Sequence, residues 1–170
     1  DLDAKAFDDD FYEFRARIKE LERRIGSVVT QGFDDATTVG GRFKLLDSFE
    51  GLLERPLVQN ELEKKHTLLI ESYSDDLHAV QQMFLELRDM PPISWNLPPT
   101  AGALAWCTGL LERIQGPMEK LKSLGRTVME REEARDVVTA YTPLVASLAE
   151  FKHAKIEAWG QSIESSSQAQ

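Results

Sequence analysis

Between Leu57 and Arg88 the chain contains neither glycine nor proline. Within that stretch Leu62, His66, Leu69, Tyr73, Leu77, Val80, Phe84 and Leu87 recur at alternating spacings of three and four. That period belongs to an α-helix with one face turned to a neighbour. The stretch therefore predicts one continuous helix, which at 1.5 Å per residue reaches roughly 45 Å. A compact domain of this mass does not need so long a helix, so an elongated bundle is expected. No segment alternates with the period of two that a half-buried strand requires, and the fold class is read as all-α.

The flanking segments follow the same logic. Phe11, Phe14, Ile18, Leu21, Ile25 and Val28 form a three-four seam. Asp8, Asp9 and Asp10 precede it as capping oxygens for a first helix. Gly32, Asp34 and Asp35 are expected to interrupt this helix, and Thr37 and Thr38 to cap the next. That second helix carries Phe43, Leu45, Leu46, Phe49, Leu52 and Leu53 on an unusually wide apolar face and is expected to stop near Pro56. Met90 to Pro99 holds four prolines and must be an extended connector, because residues before proline avoid the helical region. Thr100 is positioned to cap a helix whose stripe is Leu104, Cys107, Leu111, Ile114, Met118, Leu121 and Val128, with Gly116 and Pro117 bending it or opening a turn. A last stripe of Val137, Tyr141, Leu144, Leu148, Phe151, Lys155 and Trp159 is out of phase with it, which places a break or stutter near Arg131 to Arg135. Pro143 is expected to kink that helix, and the serine-rich end to fray.

Charge narrows the function classes. Asp and Glu outnumber Lys and Arg by 29 to 20, for a formal net charge of -9. Such a surface repels a phosphate backbone and anionic lipid, so neither nucleic acid nor membrane is an expected partner. Cys107 is the only cysteine, which excludes an internal disulfide and suits a reducing compartment. The start of the chain has neither an initiator Met nor a signal segment, and the sequence is read as a piece of a longer protein.

No catalytic constellation emerges. His66, His78 and His153 include no pair at the spacing that grips zinc on one helical face. Cys107 has apolar neighbours and no adjacent histidine, so it reads as a buried, quiet thiol. Gly40 to Lys44 lacks the spacing of a phosphate loop, and the acidic clusters lack the alternating ligands of a calcium loop. Catalytic, cofactor and metal sites are therefore all expected to be absent. Trp95, set among prolines, and Trp106, beside the main stripe of its helix, are the candidate partner contacts, since interface hot spots are enriched in tryptophan; packing that pins the connector to the bundle is the competing role.

Three separated blocks carry a resemblance. FRARIKELERRIGSVV, then GFDDATTVGGRFKLLDSFEGLLERP, and after the long helix PPISWNLPPTAGALAWCTGLLERIQGPMEKL, resemble the N-terminal tail of an axonemal dynein heavy chain, closer to ciliary than to cytoplasmic chains and leaning toward an outer-arm chain. The resemblance implies a segment of a rod of successive helical bundles. Such a tail binds intermediate chains, light chains and neighbouring heavy chains and anchors the motor on doublet microtubules, which implies a place in the axonemal cytoskeleton of the cilium or flagellum, and in the cytoplasm before assembly. ATP hydrolysis belongs to the distant motor ring, so no catalytic residue carries over onto these positions. A spectrin-like or tethering rod is the alternative, which should show a repeat; the pentapeptide GLLER at Gly51 and Gly109 recurs without matching flanks.

The expectation is thus an elongated bundle of four to five helices, with long antiparallel helices, over residues 1–160, followed by a polar tail or linker over 161–170. Its core should hold Phe43, Leu46, Phe49, Leu53, Leu69, Tyr73, Leu111 and Leu148, with Trp95 and Trp106 as candidate contacts.

Overall fold

A computed structural model describes residues 2–52 and 55–168. Within them the chain forms seven α-helices, one short 3-10 turn and no strand. The all-α class holds. The helix count exceeds four to five because the stretch over 57–88 forms two helices and the stripe from Leu104 to Val128 is shared by two more.

The chain separates into two compact units, Asp1–Leu69 and Ile70–Gln170. The first begins with α1, Leu2–Asp35. This helix starts upstream of Asp8, so the three aspartates lie within it instead of capping it, and Gly32 does not interrupt it. Thr38 caps α2 (Val39–Ser48) by accepting a hydrogen bond from the Gly41 amide at 3.1 Å. α2 is shorter than expected. It closes at Phe49, whose amide bonds back to Leu45 and Leu46, and a 3-10 turn follows over Glu50–Leu52. Pro56 does not end a helix but opens α3, Pro56–Glu63, at a position where its missing N–H costs nothing.

The expected single helix over 57–88 is two, α3 and α4 (His66–Leu87). No glycine or proline marks the junction. Lys64 keeps right-handed helical angles, and the Lys65 amide reaches the Leu62 carbonyl at 2.8 Å, a tighter turn that closes α3. Tertiary packing supplies the reason. Val58 and Leu62 are buried in α3, and α3 packs chiefly on α1. Gly26 lies at that contact, where a Cβ would stand 3.6 Å from Glu61 Cγ and 3.9 Å from the Val58 backbone, ordinary contact distances. Lys65 then pairs with Asp34 at 2.8 Å.

The core of this unit holds Val29, Phe33, Val39, Phe43, Leu46, Val58 and Leu62. The wide apolar face of α2 is explained in part: Phe43 and Leu46 are buried, while Leu45 lies against Gly32, 3.2 Å from where a Cβ would stand. Phe49 is only half-buried, because the helix ends there and the side chain leaves the packed stripe. Leu53 lies outside the described residues.

In the second unit α4 buries Ile70, Tyr73, Leu77, Val80 and Phe84, the stripe its spacing predicts; Leu69 is buried in its first turn. After an extended connector, Pro99 rather than Thr100 opens α5, Pro99–Ser123. The buried stripe of α5 is Ala103, Cys107, Leu110, Ile114, Met118 and Leu121. It is rotated by one residue at its start from the expected line, so Leu104 and Leu111 are half-buried and Leu110 takes the core position. Both lines obey three-four spacing through Cys107 and Ile114, and only the neighbours decide between them.

α5 passes through Gly116 and Pro117 without a break, and Gly125 at φ 103 ends it, a backbone region open to glycine. The short α6 spans Arg126–Met129, and α7 runs Glu132–Gln168. The break near Arg131 is therefore real. Pro143 sits inside α7, where its ring leaves the Thr139 carbonyl without a helical donor; both residues are exposed, so water can serve it. The serine-rich end is helical as far as Gln168, with its described side chains from Gln161 to Ser165 exposed.

Candidate interaction surface

The second unit presents its chemistry at the connector between α4 and α5. Four prolines hold this segment extended, and the Leu97 amide bonds to the Ser94 carbonyl at 3.0 Å, closing a four-residue turn with Trp95 in its second position. The connector is seated on α5 through Ile93. A Cβ added to Gly102 would lie 2.3 Å from Ile93 Cγ2 and 3.1 Å from Ile93 Cβ. Only glycine admits Ile93 so closely, and Gly102 is itself buried.

That anchor fixes the turn and leaves its tryptophan outside. Trp95 is 98% exposed, and Met90 at the head of the connector is 85% exposed. Beside them lies a groove of about 360 Å³ lined by Met90, Pro91, Ile93, Pro99, Ala103 and Lys155. A second groove, of about 460 Å³, shares Asp89 and Lys155 with the first and adds Phe84, Arg88, Glu150 and Phe151. The two grooves are lined by apolar side chains, among them Met90, Ile93, Phe84 and Phe151, together with the charged Arg88, Asp89, Glu150 and Lys155, a mixture that protein contacts also show.

Trp106 has a different role from Trp95. It is half-buried, stacked on Phe84 at 6.2 Å, and meets Phe151 edge-on at 6.0 Å. Phe84 and Phe151 complete the trio at 5.6 Å, and Lys155 lies over the Phe151 ring at 5.2 Å. This cluster ties α4, α5 and α7 together beneath the groove, since aromatic pairs add to their burial when edges meet faces. The two tryptophans grouped by the sequence reading are thus separated: one supports the surface and the other stands on it.

The groups considered for catalysis have structural surroundings. Cys107 is buried, donates to the Leu148 carbonyl at 3.3 Å, and burial pushes its thiol upward, away from thiolate character. His66 is half-buried in the first turn of α4, and His78 meets its own helix at the Ser74 carbonyl. Among the described residues no three His, Cys, Asp or Glu side chains converge as a metal site would require, and no helix is long and apolar enough to cross a membrane. Of the expected core residues, Phe43, Leu46, Leu69, Tyr73 and Leu148 are buried, Phe49 and Leu111 are half-buried, and Leu53 is not described.

The exposed tryptophan was legible as a candidate because it lies among prolines. Met90 carried the same signal and was passed over. Sequence reasoning also placed the Phe11 to Val28 seam inside the fold. In the structure Phe7, Phe11, Phe14, Leu21 and Val28 are exposed on α1, where the buried residues among the described side chains are Gly26, Val29 and Phe33.

Comparison with known proteins finds relatives that match almost the whole chain. The family model described as dynein heavy chain, N-terminal region 1, matches residues 1–170. The chain is 46% identical over 159 residues to the dynein beta chain of the flagellar outer arm of Chlamydomonas reinhardtii, covering 94% of this chain. It is 32% identical over 164 residues to the gamma chain of the same flagellar outer arm, covering 96% of this chain. Dynein axonemal heavy chain 9 of Homo sapiens is 32% identical over 173 residues, covering 98%. The chain spans about 4% of the length of each of these relatives.

Proposed function

This chain belongs to the dynein heavy chain family, within its N-terminal region 1, and from that premise we propose that it is a noncatalytic assembly segment of an axonemal dynein tail. In this reading it is one stretch of a rod of helical bundles in the cilium or flagellum. It helps hold intermediate chains, light chains and neighbouring heavy chains together and anchors the motor, through them, on doublet microtubules. No cofactor enters that role. The named relatives are flagellar outer-arm and axonemal chains, which supports the axonemal location.

One observation carries the partner-binding part: Trp95 is 98% exposed on a turn that Ile93 and Gly102 hold in place. A flexible loop would lose conformational entropy on binding, whereas a pinned turn offers its tryptophan already placed. The grooves beside it supply a complementary recess, and their charged rim supplies orientation.

The test is capture from an axonemal extract with the chain immobilised. The unsubstituted chain is expected to retain dynein intermediate or light chains, and Trp95→Ala to retain at least tenfold less, the loss of about 1.4 kcal/mol or more that a tryptophan hot spot gives. Equal capture by both forms, with circular dichroism unchanged, overturns the assignment of this surface.

A further inference from the structure

The helical ladder of α7 is disturbed along one stretch of its exposed side. Thr139 Oγ1 donates to the Arg135 carbonyl at 2.8 Å, Thr142 Oγ1 to the Val138 carbonyl at 3.0 Å, and Ser147 Oγ to the Pro143 carbonyl at 3.0 Å. Each of these oxygens is thereby shared between a hydroxyl and the helix amide four residues on, an arrangement that weakens the ladder and bends helices. Pro143, in their midst, has no N–H to offer the Thr139 carbonyl. Thr139, Thr142, Pro143 and Ser147 are all exposed.

The opposite side of the same stretch is held firmly. Leu144 and Leu148 are buried, and the Cys107 thiol donates to the Leu148 carbonyl at 3.3 Å. Weak bonds outside and close packing inside make a pivot, since helices bend at proline and where side chains enter the ladder, convex toward solvent. Beyond the pivot, residues 148–159 contain no proline, serine or threonine. That arm keeps a regular ladder and moves as one piece.

The arm is one wall of the groove of about 460 Å³: Glu150, Phe151 and Lys155 come from α7, and Phe84, Arg88 and Asp89 from the end of α4 and the residues just after it. Phe84 and Phe151 meet edge-on at 5.6 Å across it. Lys155 lies twelve residues past Pro143, about 18 Å along the axis, so a change in bend of about 10° carries it about 3 Å. A sharper bend presses the α7 wall toward Phe84, and a straighter helix lifts it away.

We infer that residues 139–147 are a hinge in α7 by which the groove between α4 and α7 narrows and widens. Its use in regulating access to that groove rests on the assembly role proposed above. The hinge itself rests on the bonding within α7, and its test needs no partner, so either can fail without the other.

Pulsed electron paramagnetic resonance of spin-labelled chains tests it, with Cys107→Ala in every form so that only introduced cysteines are labelled. Glu86→Cys with Ala158→Cys spans the groove, and Gln115→Cys with Asp136→Cys reports on α7 before the hinge; all four positions are exposed. The groove pair should give a distance distribution about twice as wide as the control pair. Thr139→Ala with Thr142→Ala and Pro143→Ala restores a regular ladder at exposed positions, and should narrow the groove distribution about twofold while leaving the control pair unchanged. Hydrogen exchange gives a reading without labels: the same triple substitution should slow the amides of residues 144–147 about tenfold and leave those of residues 134–138 as they were. Groove and control distributions of equal width, a groove distribution that stays as broad after the triple substitution, or amides over 144–147 that do not slow relative to 134–138 overturns the inference.

Discussion

Tyr73 of α4 donates its phenolic hydrogen to the carbonyl oxygen of Ile114 in α5 at 2.6 Å, with both residues buried. Together with the Ile93–Gly102 contact of the connector, the bond fixes the relative register of the two helices. Nearby, the Arg113 guanidinium grips the Asp76 carboxylate at the half-exposed margin of the same contact, and that pairing holds the Arg113 guanidinium above its usual range. A salt bridge so placed contributes little by itself. The buried phenol therefore carries more of the specificity of this contact.

Replacing Tyr73 with Phe should cost about 0.5 to 1.5 kcal/mol at neutral pH, the usual net contribution of one internal hydrogen bond. The cost should depend on pH. Burial, followed by the charges of Tyr141 and Asp76, raises the Tyr73 phenol above the ordinary tyrosine range. Its contribution is complete below the unfolded value of about 10 and declines as pH rises beyond it, since the unfolded chain releases the proton first. Urea melts of the two forms from neutral to alkaline pH should show their difference shrinking above about pH 10. A constant difference across that range would contradict the buried, protonated phenol.

Gly102→Ala should destabilise the second unit by about 1 to 3 kcal/mol, although alanine is the better helix former, because the new Cβ would meet Ile93 Cγ2 at 2.3 Å. Ile93→Ala removes that obstacle, so the double substitution should cost less than the sum of the two single ones. The cycle is read from denaturant melts, with tryptophan fluorescence following the connector. A stabilising Gly102→Ala would mean that the connector is not seated on α5.

Phe43 and Phe49 should separate sharply on truncation. Phe43 is buried and should cost about 3 to 5 kcal/mol as alanine. Phe49 is half-buried at the end of α2, so Phe49→Ala should cost no more than about 2 kcal/mol. Equal losses would show that the end of α2 is packed as fully as its middle.

That contrast marks how far the sequence could be read. Periodicity located the α4 stripe from Leu69 to Phe84, and the phase shift located the break before α7, because both depend on local spacing. The α3–α4 junction was hidden, since Lys64 and Lys65 are ordinary helix formers and what sets α3 apart is its packing on α1. In α5, Leu104 and Leu110 each fit a three-four line, and only neighbouring helices select Leu110. Proline misled at Pro56, expected to stop a helix and found opening α3, whereas Pro117 and Pro143 lie inside their helical runs as their spacing indicates. At the surface, residue type marked Trp95 and Trp106 alike, but a type cannot say which ring faces Phe84 and which faces water. The resemblance in the three sequence blocks, by contrast, identified the family to which the chain belongs.

The most direct test of the assembly role replaces Trp95 in the intact heavy chain with a photoreactive benzophenone amino acid and irradiates assembled axonemal dynein. Mass spectrometry of the adducts is expected to place position 95 against an intermediate chain, a light chain or a neighbouring heavy chain. Adducts confined to the same heavy chain would contradict a partner surface at Trp95 and make the connector an internal contact of the tail.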